Sequence, residues 1–269
     1  MLKDKEGVGV YITTGICAII KDCDENYLRE WIDCHEAIGF DYFFIYDNES
    51  KNPIKELLKD YENIIVYDFP GKIQQLPAYM DCITKQKHGE QPKCDWLAFI
   101  DEDEFIVVES GNIKDFLRTQ QSTAIGLNWL MFGSNGLKEK DKYNQILKFT
   151  MHNEYKANVN RHIKSIVRPE FVISFNTPHD CRYSYGDCCD VSGNILNGPF
   201  TLKPIHETAW INHYYTRSEE EFQMKIDKGR ADCDIPRNMQ QFHDFNAECT
   251  VESFEIADIF INLIKYKKC

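Results

Sequence analysis

Four consecutive carboxylates, Asp101-Glu102-Asp103-Glu104, interrupt the otherwise apolar stretch WLAFIDEDEFIVV over Trp96–Val108. Like charges at the tip of a buried strand repel one another unless a cation neutralises them. Alternation along a strand sends Asp101 and Asp103 one way and Glu102 and Glu104 the other. The D-x-D pair then offers its oxygens to a hard divalent cation, and Glu102 and Glu104 serve local structure. A D-x-D is short, and a loop of solvated acids explains most of them. The apolar flanks on both sides are what argue for a cation site.

A second constellation lies in INHYYTRS, where His213 ends a mixed apolar and aromatic strand just before a helix. It reads either as a hydrogen-bonded core histidine or as a third metal ligand or diphosphate contact. An Asp/His set suits Mn²⁺ better than Mg²⁺, since imidazole matches magnesium poorly. The basic residues Lys164 and Arg168 in HIKSIVRPE, and Lys225, Lys228 and Arg230 in KIDKGR, are the natural anion contacts.

These side chains need elements to hold them. Continuous apolar runs at residues 16–20, 42–46, 64–67 and 96–100 alternate with helical spacing at 27–38, 54–58 and 74–87. Apolar strands without alternation, separated by helices, predict a parallel sheet covered on both faces. The expected fold class is α/β, with a mostly parallel Rossmann-like central sheet flanked by helices. In such sheets ligands sit beyond the carboxyl ends of the strands, where Asp22, Asp24, Asp47 and Asp101 fall. Ser218, followed by three glutamates, predicts a helix over 218–229, and a last helix is expected over 251–267. One domain covers 1–269 in this reading: a nucleotide-binding half over about 15–110, an acceptor half over about 111–250, and the C-terminal helix.

The 269 residues carry a formal net charge of −12, which argues against a nucleic-acid partner. Eleven cysteines at irregular spacing, without C-x-x-C, read as reduced thiols. No apolar run is long enough to span a membrane and no signal-peptide pattern opens the chain. A cytoplasmic location is therefore expected, unless the chain is a fragment of an anchored protein. The basic end at Lys265–Lys268 suits an ordinary helix C-terminus, or peripheral contact with the inner face of an acidic membrane.

Taken in order, YLREWIDCHEAIGFDYFFIYDNES, QLPAYMDC, WLAFIDEDEF, LNWLMFGSNG, HIKSIVRPE and INHYYTRSEEEFQMKIDKGRAD resemble glycosyltransferase family 92, a GT-A type family related to family two. The resemblance runs from about Cys17 to Asp232. It implies Mn²⁺- or Mg²⁺-dependent transfer of a hexosyl group from a nucleotide-sugar donor, UDP-linked, to a glycan or lipid-linked glycan, with inversion. Asp101 and Asp103 match the family's metal- and sugar-nucleotide-binding acids, Asp47 the position facing the nucleoside, His213 the histidine of its late N-H-Y segment, and Lys164 the basic residue of its K-x-I-x-R-P stretch. Where the family has K-N-E, this chain has Lys21-Asp22-Cys23-Asp24-Glu25, so Lys21 and either Asp22 or Asp24 fall to the nucleotide-sugar. Inversion needs a base, and Asp180 in TPHD is preferred over Glu207 in IHET. Two rivals are a metal-dependent phosphoryl or nucleotidyl transferase, against which the lack of G-x-x-x-x-G-K-[ST] speaks, and a non-catalytic carbohydrate- or protein-binding module of the same fold.

Overall fold

The apolar runs do become strands in the computed structural model, which describes residues 11–142, 144–254 and 260–261. The first part alternates β1 (Thr14–Ile20), α1 (Glu25–Ala37), β2 (Tyr42–Asp47), α2 (Ile54–Leu57), β3 (Ile64–Asp68), α3 (Gln75–His88) and β4 (Trp96–Phe99). Then come β5 (Glu104–Val108), α4 (Ile113–Arg118), β6 (Ala124–Met131), α5 (Gln145–Lys148), β7 (Met151–His152), β8 (Ile163–Val167), β9 (Val172–Phe175) and β10 (Cys181–Tyr183). The last elements are β11 (Cys188–Cys189), β12 (Ala209–His213), α6 (Glu219–Lys228), α7 (Met239–Glu248) and β13 (Val251–Glu252).

The central sheet runs β3-β2-β1-β4-β8-β6-β12-β5, with β11 beside β6. It is mixed and mostly parallel: β8 opposes β4 and β6, and β5 opposes β12. In β1 and β2 alternate residues feed two separate cores. Ile16, Ala18, Phe43 and Ile45 join α1 on one face, and Cys17, Ile19, Phe44 and Tyr46 join α3 on the other. Burying one such side chain contributes about 1.5–3 kcal/mol, which explains why these strands are apolar throughout rather than alternating.

Sheet order creates a geometric problem that the fold solves by curling. Along a flat sheet, β4 and β5 would stand four strand spacings apart, about 19 Å. Only residues 100–103 join them, and these are folded back by the Glu104 N–H donating to the Asp101 carbonyl (3.1 Å). The bend falls at β6, which pairs with β8 through Ala124–Asn128 and with β12 through Trp129–Met131. That brings β5 back to the tip of β4, with the four acids at the corner.

Helix α1 pins this corner. Trp31 is fully buried, and its indole N–H donates to the Glu104 carbonyl (2.7 Å). One turn on, His35 Nδ1 lies 2.7 Å from the Trp31 carbonyl, so Nδ1 holds the proton and Nε2 accepts the Ile106 N–H (3.1 Å). Burial pushes the His35 pKa down to about 3, and the ring stays neutral in that role. Asp24 caps the helix by accepting the Asn26 and Tyr27 N–H groups.

Glu30, on the same helix, accepts the Gln145 N–H (2.9 Å) at the start of α5, and burial raises its pKa to about 7. A folded-state pKa above the unfolded value gives stability that is fully present below about 4.5 and lost as pH rises through about 7. Glu30→Gln should therefore flatten the pH dependence of Tm between pH 4.5 and 7.5, and should gain on the wild type towards the upper end. Parallel Tm curves for the two proteins would contradict it.

At the C-terminal end the fold departs from expectation. Val251 and Glu252 form β13 against β7 instead of opening a helix. The expected helix otherwise falls largely outside the described residues. The helix present here is α7, closed at its start by a capping box between Asn238 and Gln241.

Candidate active site

Acids and lysines meet at the corner between β4 and β5. Lys164 points from the start of β8, its side chain 1% exposed, and reaches Asp101 Oδ2 (2.9 Å) and Glu104 Oε2 (3.4 Å). Burial would lower the Lys164 ammonium, but the two carboxylates outweigh it and hold the pKa well above the ordinary lysine value. Asp101 Oδ1 takes a second hydrogen bond from Gln75 at the start of α3 (2.7 Å). Asp103 is fixed differently: its carboxylate accepts from Lys225 of α6, and Oδ1 lies 3.4 Å from His213 Nε2. Burial works against its charge, yet Lys225 and His213 hold the Asp103 carboxyl well below its ordinary range.

The alternation expected across the acid run does not hold, because residues 101–103 are a turn rather than strand. Glu104 does not point away. It is fully buried, accepts the Asp101 N–H (2.8 Å), and turns Oε1 to His213 Nδ1 at 3.8 Å. Glu102 lines the same cleft, facing Arg217 and Lys228. Arg217 is held there in the left-handed backbone region (φ 52°), its guanidinium over the Tyr27 ring and donating to the Glu102 carbonyl (3.3 Å).

A divalent cation fits part of this set. Asp101, Asp103 and His213 do not converge as three ligands, since Gln75 and Lys164 take the Asp101 carboxylate; among the described residues no group of three or more His, Cys, Asp or Glu side chains is poised for a metal. Asp103 and His213 remain as a two-residue anchor. Burial lowers the His213 pKa, so the imidazole is neutral. Its Nδ1 and Glu104 Oε1 are buried 3.8 Å apart without a hydrogen-bond partner, and its Nε2 faces the Asp103 carboxylate. Cations that bind chiefly through substrate phosphates need only one or two protein ligands of this kind.

These residues floor a cleft of ≈ 630 Å³ at the carboxyl ends of β1 and β4, where the strand order reverses direction. Ligands of open α/β sheets bind at such a switch point. Seven Lys and Arg side chains line the cleft against five Asp and Glu, a local positive excess in an acidic protein. Four of the cations, Lys225, Lys228, Arg230 and Arg237, come from α6 and the segment after it.

Not every residue singled out in the sequence reaches this cleft. Lys21, Asp101, Asp103, Lys164 and His213 line it. Asp47 sits just behind, accepting the Ser50 and Ile54 N–H groups and so shaping the loop that presents Asn48 and Glu49. Asp22 accepts the Lys51 N–H, and Asp24 is committed to the α1 cap and to Lys140 (2.6 Å). Asp180 closes the β9–β10 hairpin by accepting from Asn176 and Thr177, whereas its neighbour His179 faces the cleft. Gln75, Trp129 and His162 were not anticipated. No spacing marks them; only the curl of the sheet and the hairpin bring them together.

An acid turn flooring a cleft at the strand tips of a mostly parallel α/β sheet is the arrangement of a GT-A-like transferase. The profile of glycosyltransferase family 92 matches residues 15–240, and the chain belongs to that family. It is similar to a family 92 protein of Arabidopsis thaliana, 25% identical over 243 residues that cover 83% of this chain and 39% of that protein. A family 92 protein of Ricinus communis is 26% identical over 220 residues, covering 75% and 35%. The chain thus spans well under half the length of these relatives. Solved structures give weaker likenesses. A Mycobacterium tuberculosis protein in complex with manganese has a TM-score of 0.32 at 9% identity, covering 44% of this chain and 65% of its own. A putative glucose-1-phosphate thymidylyltransferase from Bacillus anthracis in complex with sucrose has 0.36 at 10%, covering 60% and 72%.

Proposed function

We propose that this family 92 glycosyltransferase moves a hexosyl group from a UDP-sugar to a hydroxyl of a glycan, with inversion and with help from Mn²⁺ or Mg²⁺. The observation that carries this reading is the pairing of Asp103 with neutral His213 on the floor of a cleft rimmed by Lys225, Lys228, Arg230 and Arg237. In the transfer, the acceptor oxygen bonds to the anomeric carbon as the bond from that carbon to the diphosphate oxygen breaks. The electron pair leaves with the diphosphate, and the hydroxyl proton passes to a base on the acceptor side.

Charge growing on the diphosphate is where the protein acts. Preorganised cations in a cleft shielded from water lower that barrier more than they could in bulk solvent. The rim cations from α6 and beyond are suited to this. Asp103 and His213 would hold the divalent cation, which when bound supplies Lewis-acid neutralisation of the leaving group. Asp103 would have to release Lys225 to hold the cation, and the freed ammonium would add to the rim. Asp101, fixed by Lys164 and Gln75, is a rigid acceptor for a sugar hydroxyl. A UDP donor, a glycan or lipid-linked glycan acceptor and a cytoplasmic, membrane-proximal setting remain parts of this proposal.

The test is release of UDP from UDP-hexoses with Mn²⁺ and in EDTA. Release and transfer are expected only with the cation. Binding of free glycans without any turnover of donor would instead favour the binding-module reading.

A further inference from the structure

Two imidazoles in the acceptor half of the cleft are not used by the donor chemistry. His162, just before β8, and His179, in the turn before β10, both line the cleft with ring centroids 5.6 Å apart. His162 stacks on Trp129 (4.9 Å, 19°), and His179 meets the same indole edge-on (5.1 Å, 73°).

The hydrogen bonds decide their tautomers. His162 Nδ1 lies 2.9 Å from the Val159 carbonyl, and His179 Nδ1 lies 2.8 Å from the Ile163 carbonyl. A carbonyl oxygen only accepts, so each Nδ1 carries the proton and each Nε2 keeps its lone pair. Among the described residues neither Nε2 has a hydrogen-bond partner. Burial lowers both pKa values, that of His179 to about 4 with help from the Lys164 charge, so both rings are neutral near pH 7.

Two neutral acceptors beside apolar Val159, Pro178 and Trp129 select for a ligand that donates hydrogen bonds and carries no charge. A phosphate or carboxylate would meet lone pair against lone pair. The hydroxyls and C–H faces of a sugar ring match both features. We propose that His162 and His179 form the acceptor subsite, each taking a hydrogen bond from a hydroxyl of one neutral sugar ring, with Trp129 fixing the two imidazoles. This deepens the glycosyltransferase reading above and rests on it.

His162→Asn and His179→Asn provide a clean test. Asparagine keeps a nitrogen in the place of Nδ1, so the bonds to the Val159 and Ile163 carbonyls persist and only Nε2 is lost. Binding of methyl galactoside, glucoside, fucoside and N-acetylglucosaminide is measured by saturation-transfer NMR on the whole chain with UDP and Mn²⁺ present. UDP affinity is measured separately. At least one glycoside is expected to bind, about tenfold more weakly in each variant, with UDP affinity unchanged. The ¹⁵N resonances of both Nε2 atoms should move when that glycoside is added to the wild type.

Unchanged glycoside binding in both variants would overturn the subsite, as would a wild type that binds UDP but no glycoside. Equal loss of UDP and glycoside binding would mark the imidazoles as structural supports and also overturn it. Glycoside binding that depends on both imidazoles, in a protein with no affinity for UDP, would uphold the subsite and overturn the donor reading alone.

Discussion

Asp103→Asn is expected to lower sugar transfer by about 10²- to 10³-fold, the range found when a preorganised group at a developing charge is removed. The side chain keeps its shape, and the Asp103 carbonyl still accepts the Tyr214 N–H (2.8 Å), so the corner between β4 and β5 should persist. What is lost is the charge proposed to anchor the cation, together with the carboxylate that faces His213. Lys225, 20% exposed, can turn to water once its partner is neutral, which keeps the stability change small. Kinetics with a UDP-sugar, beside a thermal melt, measure both halves. Full transfer at unchanged Tm would remove Asp103 from the mechanism.

Lys164→Met should have the opposite profile, with stability suffering first. The ammonium is buried between Asp101 and Glu104, and the Glu104 side chain is fully buried. Burial, Asp101 and Asp103 push the Glu104 pKa well above its ordinary value, and Lys164 opposes them. Removing Lys164 takes away the charge that compensates this interior group, which costs about 3–5 kcal/mol. In a chain of this size that corresponds to a fall in Tm of roughly 10 °C. The cause can be isolated by adding Glu104→Gln, which removes the stranded charge and keeps an oxygen for the Asp101 N–H. The double variant should recover much of the lost Tm. A double variant as unstable as Lys164→Met alone would mean that packing of the lysine stem, not charge, sets the penalty.

The two predictions also mark what could be read in the sequence. The four acids between apolar flanks were conspicuous, and Lys164 stood out as a basic residue of HIKSIVRPE. Their partners were harder. The assignment of Glu104 to the other face relied on extended backbone, and one hydrogen bond, Glu104 N–H to Asp101, folds the run into a turn instead. His179 was not picked out for the cleft, because nothing local says which side chain of a hairpin turn faces it. His162 and Trp129 meet it only after β6 bends.

Helices followed the same logic. Tyr27–Ile38 was legible because Leu28, Trp31 and Ile32 recur on one face and are buried there. Met239–Glu248 was missed because its run is polar, with Phe242 and Phe245 the main apolar contributions; its capping box, an Asn and a Gln three residues apart, is common outside helices too.

Loss of function in variants cannot by itself identify the reaction, so the deciding measurement is turnover by the wild-type chain. UDP-hexoses are incubated with a panel of glycosides, in Mn²⁺ and in EDTA, and the products are followed by ¹H NMR. The account predicts UDP release and a new glycoside in Mn²⁺ only, its anomeric proton showing the configuration opposite to that of the donor. Equal turnover in EDTA would contradict the cation's role at Asp103 and His213, retained configuration would contradict the in-line displacement, and no consumption of any UDP-hexose would contradict the UDP-sugar reaction itself.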